Sequence, residues 1–451
     1  MQERRFAQGA RAMAGQADEV RRARPADVRR RCERTQRAQD RARSWARSVL
    51  ATWLCLVPLV LQAEDRWQRL DAFLTQSTSA AGYPGAVAVV EVDGKPVFQG
   101  AYGHRDLART RPMRADAIFR VYSMTKPVAT VAVLTLMDQG KLALDDPLSR
   151  YLPAFAQTQV VVGGDLAQPR LAPVRRPITL RHLLTHTSGL AADATRYPVA
   201  TGLLEQAGVE QARDLADVAG RLARVPLATQ PGTEFNYEGA NTELLARVVE
   251  VVSGETFSHY LQAHVLGPLG MRDTGFEVPA AQRGRVVDLP TLDDHGALRI
   301  ADTPSARQPG ARLRAYDSAA GGLYSTAGDY LRFARMLLND GASGGVRVLS
   351  RKTVELMTRD QLGGFDPPVK GLLPGEGFGL GGYVVTDPAA RGRLGSVGQF
   401  GWSGAASTYF TVDRKAHLVA VLLLQYLPAD RPGDLPKLAT PFYNLVYQAL
   451  P

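Results

Sequence analysis

Two runs of β-forming residues lie in AVAVVEVDGKPVFQGAYG (86–103), one on each side of Asp93-Gly94. A two-residue turn of that type joins neighbouring strands into a hairpin. A long apolar segment follows from Val128 to Met137 and stops at Gly140, which predicts a buried helix with a glycine cap. From about 142 to 340 the pattern is helical, broken by loops. Leu244 to Val252 predicts an amphipathic helix ended by Ser253-Gly254, and Tyr330 to Leu338 another, preceded by Ser325-Thr326 and ended at Asn339 to Gly341. Strand character returns in GLGGYVVT (379–386), ASTYFTVD (406–413) and LVAVLLLQY (418–426), and Pro441 to Leu450 reads as a closing helix.

Strands at both ends with helices between predict an α+β, two-lobed fold. Its antiparallel sheet is built from both ends and flanked by helices, with an all-helical lobe inserted. The sheet lobe is expected at about 66–140 and 320–451 and the helical lobe at about 141–319. Alternating βαβ units and internal repeats of 20 to 50 residues are absent, which argues against a Rossmann fold, a barrel or a solenoid.

Composition narrows the class without naming a function. Apolar residues make up 45% of the 451 positions and charged residues 22%. These are globular values, and they exclude a mainly disordered chain, a fibrous repeat and a polytopic membrane protein. The formal net charge of +10 hints at nucleic acid until it is located. Residues 1–63 carry +8 of it and the rest of the chain +2, so no nucleic-acid partner is expected.

The apolar run VLATWLCLVPLVLQ (49–62) follows Arg41, Arg43 and Arg47 and ends at Ala63-Glu64-Asp65. It is shorter than the ~20 residues a spanning helix needs, and Pro58 interrupts it. Residues 49–63 therefore read as a secretory signal core, with a retained membrane anchor as the alternative. Residues 1–48 are Arg-rich and poor in large apolar groups. They cannot form a core and read as a disordered leader that reflects the choice of translation start. Both cysteines, Cys32 and Cys55, fall in this leader. A mature chain from about Glu64 has none, as suits an exported protein, periplasmic or secreted.

The candidate chemistry begins at Ser123 and Lys126, an S-x-x-K. Residues three apart share a helix face, so the lysine amine can sit beside the serine hydroxyl. A serine hydroxyl is a poor nucleophile without such a base. Pro127 fits a helix that starts near Ser123, where the first N–H groups have no internal acceptor. The Ser123 N–H at that positive end suits a developing oxyanion. Taken alone, the motif reads more readily as an exposed lysine and a capping serine; the apolar helix that follows it brings the functional reading level with that one.

SMTKP (123–127), PITLRHLLTHTSGL (177–190), PGTEFNYEGANTELLARVVEVVSG (231–254), HVLGPLGMRDTGF (264–276), AAGGLYSTAGDYLRFARMLL (319–338) and GQFGWSGAASTYF (398–410) together resemble the class C β-lactamase-like serine hydrolases. That family includes β-lactamases, D-alanyl-D-alanine peptidases, family VIII esterases and amide hydrolases. The resemblance covers about residues 80–425 in order, and implies a fold like that of β-lactamases and penicillin-binding transpeptidases. It implies Ser123 as nucleophile, Lys126 as its partner, and Tyr237 as the tyrosine of a second motif. Trp402-Ser403-Gly404 would be the third motif, on an edge strand. The N–H groups of Ser123 and Ala405 would form the oxyanion hole. A phenol is too weak an acid to ionise unaided at neutral pH, but a neighbouring ammonium favours the phenolate, which could then take the serine proton.

Two departures bear on the substrate. The second motif commonly ends in Asn, and here Gly239 stands there; Asn241, two residues on, is a candidate substitute for binding substrate or Lys126. The third motif of β-lactamases and peptidases begins with a cation that holds the substrate carboxylate, and here Trp402 begins it. Trp402 offers an apolar face and one N–H, as in the W-x-G motif of family VIII esterases. Other features read as bland. Ser403 in GWSGA leads into more strand and is no nucleophile elbow. His182 and His186 are four apart but lack H-E-x-x-H. Asp145-Asp146 and Asp293-Asp294 read as solvated turns. Loops at Val160 to Arg176 and Asp360 to Glu376 are expected to shape the site.

The expected protein is an exported serine hydrolase that forms a Ser123 acyl-enzyme. It needs no metal or organic cofactor and acts on a small ester. The alternatives are an amidase, D-amino-acid peptidase or β-lactamase, and a catalytically silent binding protein on the same fold. A membrane is a partner only through an uncleaved signal segment.

Overall fold

The computed structural model describes residues 66–79, 82–364 and 374–451. The leader, its two cysteines and the signal segment lie outside them, as does part of the 360–376 loop. The centre is a seven-stranded antiparallel sheet. Its strands are β1 (Gly85–Val92), β2 (Lys95–Gly103), β3 (Glu376–Phe378), β4 (Tyr383–Val385), β5 (Phe400–Gly404), β6 (Thr408–Asp413) and β7 (Leu418–Leu424). They lie in the order β3-β4-β5-β6-β7-β1-β2. The N-terminal hairpin therefore joins the C-terminal meander through β1 and β7, in register from Ala86↔Leu424 to Val92↔Leu418. The hairpin turns at Asp93 (φ 52°) and Gly94 (φ 73°), the left-handed pair that a tight turn between twisted strands requires.

Both faces of this sheet are covered. On one face Val87, Val89, Val419, Val421 and Leu423 meet helices α2 (Thr125–Asp138), α3 (Ala240–Ser253) and α4 (Ala327–Leu338) in the larger core. On the other, Ala86, Ala88, Val90, Leu418, Ala420, Leu422 and Leu424 meet α1 (66–77) and α5 (Ala439–Ala449). With both faces covered, β7 reads LVAVLLL without alternation, and every residue in it is buried.

The predicted elements are present, with shifts of a few residues. The helix foreseen at Val128–Met137 is α2, and Gly140 (φ 70°) follows it. Thr326 caps α4 by accepting the Asp329 N–H, and Gly254 (φ 77°) ends α3. The inserted region is not all-helical: long loops join its helices, which fill less than half of it, and it carries two small ladders, Gln159–Gly164 with Pro169–Pro173 and Pro290–Leu292 with Leu298–Ile300. The expected loop at Val160 to Arg176 is thus largely a hairpin. Its prolines, Pro169 and Pro173, lie on the outer strand of the pair, while the first strand bonds Leu227 on its other side. A second correction concerns the third motif. β5 lies between β4 and β6 and is not an edge strand. Its pairing with β4 stops at Gly401, however, so Trp402 to Gly404 is laddered only to β6.

Candidate active site

Ser123 sits in a 3-10 turn, Tyr122–Met124, that runs straight into α2. The helix thus starts two residues later than the sequence suggests, and Ser123 stands just before it. Tyr122 has φ 41°, a conformation that costs a non-glycine residue about 1–3 kcal/mol. The surroundings hold it there. The Val121 N–H bonds Leu323 O, Tyr330 Oη–H bonds Met124 O at 2.7 Å, and Thr125 Oγ1 accepts the Leu323 N–H at 3.1 Å. Beneath the turn, the fully buried Arg120 donates to Val287 O and Ser305 O.

Lys126 is buried, 3% exposed. Its Nζ donates to Ser123 Oγ at 3.3 Å and to Ala320 O at 2.7 Å, and lies 4.8 Å from the centre of the Tyr237 ring. The S-x-x-K spacing therefore does bring the two side chains together. Tyr237 is partly exposed and its oxygen accepts the Trp402 Nε1–H at 3.2 Å. The two rings lie 5.1 Å apart. The first, second and third motifs thus converge, from α2, the loop before α3, and β5.

Gly404 explains why the third motif ends in glycine. A Cβ there would lie 2.2 Å from Val121 O and 2.3 Å from Thr408 Oγ1, so only glycine lets β5 pack against the serine turn. The β5–β6 ladder ends at Gly404↔Thr408, leaving the Ala405 N–H beyond the last paired residue. Ser403 is exposed within that ladder, opposite Tyr409, in a strand-to-strand hairpin and not an elbow.

Asn241 does not replace the missing amide of the second motif. It is fully buried. Its Oδ1 accepts Ser188 Oγ–H at 2.5 Å, and its Nδ2 donates to Glu238 O at 3.0 Å. Those bonds hold the loop that carries Tyr237. Gly239 lines the cleft, and a Cβ on it would meet the Ala320 Cβ at 3.2 Å. Lys126 bonds a backbone carbonyl, that of Ala320.

The two histidines have separate structural tasks. His182 Nδ1 accepts the Thr179 N–H in a capping box. His186 is buried between Phe235, Phe378 and Tyr237, with ring centres 6.1, 5.5 and 4.7 Å away. Its Nδ1 accepts the Glu238 N–H at 3.2 Å. Burial pushes its pKa down to about 3, helped by the Lys126 charge, so it packs under Tyr237 as neutral imidazole. No group of three or more metal-ligating side chains occurs among the described residues. The paired acids are placed as turns and ion pairs: Asp145 with Arg181, Asp146 with Arg150 and Tyr151, Asp294 with Arg431.

Ser123 opens onto a cleft of about 620 Å³. Leu204, Val209, Leu313, Tyr316 and Leu427 give it apolar wall, and Glu238 and Glu243 lie on its inner side. Arg314, also in the wall, is already paired with Glu210. Burial raises the Glu238 pKa and lifts that of Glu243 to about 7. The sequence reading missed the task of His186, Glu243 and the cleft walls. His186 and Glu243 lie inside matched blocks without being motif residues, and the cleft walls carry no motif.

A two-lobed sheet-and-helix fold with a lysine-paired serine at its cleft defines a class of serine hydrolase. The Beta-lactamase family model matches residues 70–439, and the chain belongs to that family. Protein Rv1367c of Mycobacterium tuberculosis is 39% identical over 76% of this chain and 86% of its own. Esterase EstB of Burkholderia gladioli is 34% identical over 80% of this chain and 91% of its own. Among solved structures, EstCE1, described as a hydrolase with promiscuous acyltransferase activity, matches with a TM-score of 0.67 and 25% identity, covering 86% of this chain and 98% of that one.

Proposed function

We propose that this serine hydrolase is an exported carboxylic ester hydrolase, with Ser123 as nucleophile and Tyr237 and Lys126 carrying the protons. The observation that carries the reading is the contact of Lys126 Nζ with Ser123 Oγ at the cleft, beside the ring of Tyr237, whose oxygen accepts the Trp402 N–H. Ser123 Oγ attacks the ester carbonyl carbon while its proton passes to the Tyr237 oxygen. The tetrahedral oxyanion is held by the N–H groups of Ser123 and Ala405. The carbon–oxygen bond to the leaving alcohol breaks as Tyr237 returns the proton to it. Water then attacks the acyl-enzyme, giving its proton to Tyr237, and Ser123 regains a proton as the acid leaves. Lys126 and the Trp402 N–H both stabilise negative charge on the phenol oxygen during these transfers.

Esters are favoured over lactams and peptides by the charge of the cleft. A penicillin or a peptide C-terminus brings a carboxylate. Trp402 stands where a cation would meet it, and Arg314 is engaged by Glu210. The name of the relative EstB supports the same reading. The expected result is turnover of p-nitrophenyl butyrate with kcat/KM at least ~10²-fold above that for a chromogenic cephalosporin, a gap of about 2.7 kcal/mol. Faster cephalosporin turnover would contradict it. Export is read from residues 49–63. N-terminal sequencing of the native protein should begin near Glu64, and finding residues 1–40 on it would contradict both cleavage there and a later translation start.

A further inference from the structure

Glu243 is buried, 4% exposed, in the first turn of α3, and the steps above do not use it. Its Oε1 accepts Ser318 Oγ–H at 2.5 Å and its Oε2 accepts the Ala319 N–H at 2.9 Å. The next group along that backbone, Ala320 O, is the 2.7 Å acceptor of Lys126. Gly239 leaves the room in which Ala320 sits. A carboxylate, two peptide units and a lysine thus form one chain of contacts that ends at Ser123.

We propose that Glu243 is a positioning residue for the Ser123–Lys126 pair, acting through the Ala319–Ala320 backbone that it clamps and that Lys126 grips. The inference rests on the proposed nucleophile. As a carboxylate, Glu243 accepts the Ser318 hydroxyl and the Ala319 N–H, fixes the backbone that carries the Ala320 carbonyl, and places negative charge near Lys126. As a neutral acid it loses acceptor strength and that charge. The other charged or titratable groups about it are Lys126 from α2, Tyr316 and Arg314 from the segment before Ser318, and Glu238 from the loop before α3. Glu243 has its pKa lifted to about 7 by burial, so the clamp strengthens as pH rises through neutrality. A buried carboxylate that merely stapled the loop would not make turnover follow this titration.

The test compares the full chain with Glu243→Gln, which keeps the shape and removes the ionisation. Initial rates on p-nitrophenyl butyrate and fluorophosphonate labelling rates are measured from pH 5 to 9, with Ser123→Ala alongside. Parent and Glu243→Gln should converge below pH 6. Above pH 8 the variant should have kcat lower by about 10- to 100-fold, the loss that misplacement of a reacting group brings, with KM within about 3-fold. A ratio of the two that stays flat across pH would overturn the proposal. Where Glu243→Gln does not fold, Ser318→Ala decides. It keeps the charge but removes a donor to the carboxylate, and should move the activity rise up by about one pH unit; an unmoved profile overturns the proposal. Retained labelling in Ser123→Ala would instead overturn the nucleophile assignment itself.

Discussion

Ser123→Ala should lower kcat/KM for p-nitrophenyl butyrate by at least ~10³-fold, with the far-ultraviolet circular dichroism spectrum unchanged. The substitution removes the one atom proposed to form the acyl bond. It removes little that holds the fold. Ser123 Oγ accepts from Lys126 at 3.3 Å, a contact worth about 0.5–1.5 kcal/mol net, and Lys126 keeps its shorter bond to Ala320 O. The turn is pinned by Tyr330, Thr125 and Leu323, not by the serine side chain. Loss of activity with a retained fold therefore reports on chemistry. A variant that keeps a tenth of the parent rate would move the nucleophile elsewhere.

Tyr237→Phe should lower kcat by about 10²- to 10⁴-fold, the range for a group that moves a proton in the transition state, with KM changed by less than about 3-fold. Phenylalanine keeps the ring between His186 and Trp402, at 4.7 and 5.1 Å. What disappears is the oxygen that meets the Trp402 N–H. Because Tyr237 is 41% exposed, the Trp402 N–H left behind can turn to water, and stability should hold. Steady-state kinetics that showed less than a 10-fold fall in kcat would take Tyr237 out of the proton path and leave Lys126 as the base.

Local rules made much of this molecule legible before its structure. Asp93-Gly94 turns a hairpin because both positions must be left-handed, Gly140 and Gly254 end helices for the same reason, and Thr326 caps α4 with its own hydroxyl. The contact between Ser123 and Lys126 was legible too, since three residues make most of a helical turn. Contacts over long sequence distance were not. Asn241 looks like a spare amide in the sequence, yet Ser188, 53 residues away, consumes it. The acceptor for Lys126 is a backbone carbonyl, 194 residues away, and a carbonyl has no side-chain signature. His186 is hidden because its task is to fill space beneath Tyr237. The hairpin at 159–173 was hidden because its glycines and prolines read as loop.

The most direct test of the account is where a fluorophosphonate bonds to the folded full chain, read by intact mass and then by peptide mapping. One adduct is expected, on Ser123, absent from Ser123→Ala. An adduct on another residue, or none in a chain shown to be folded, would contradict it.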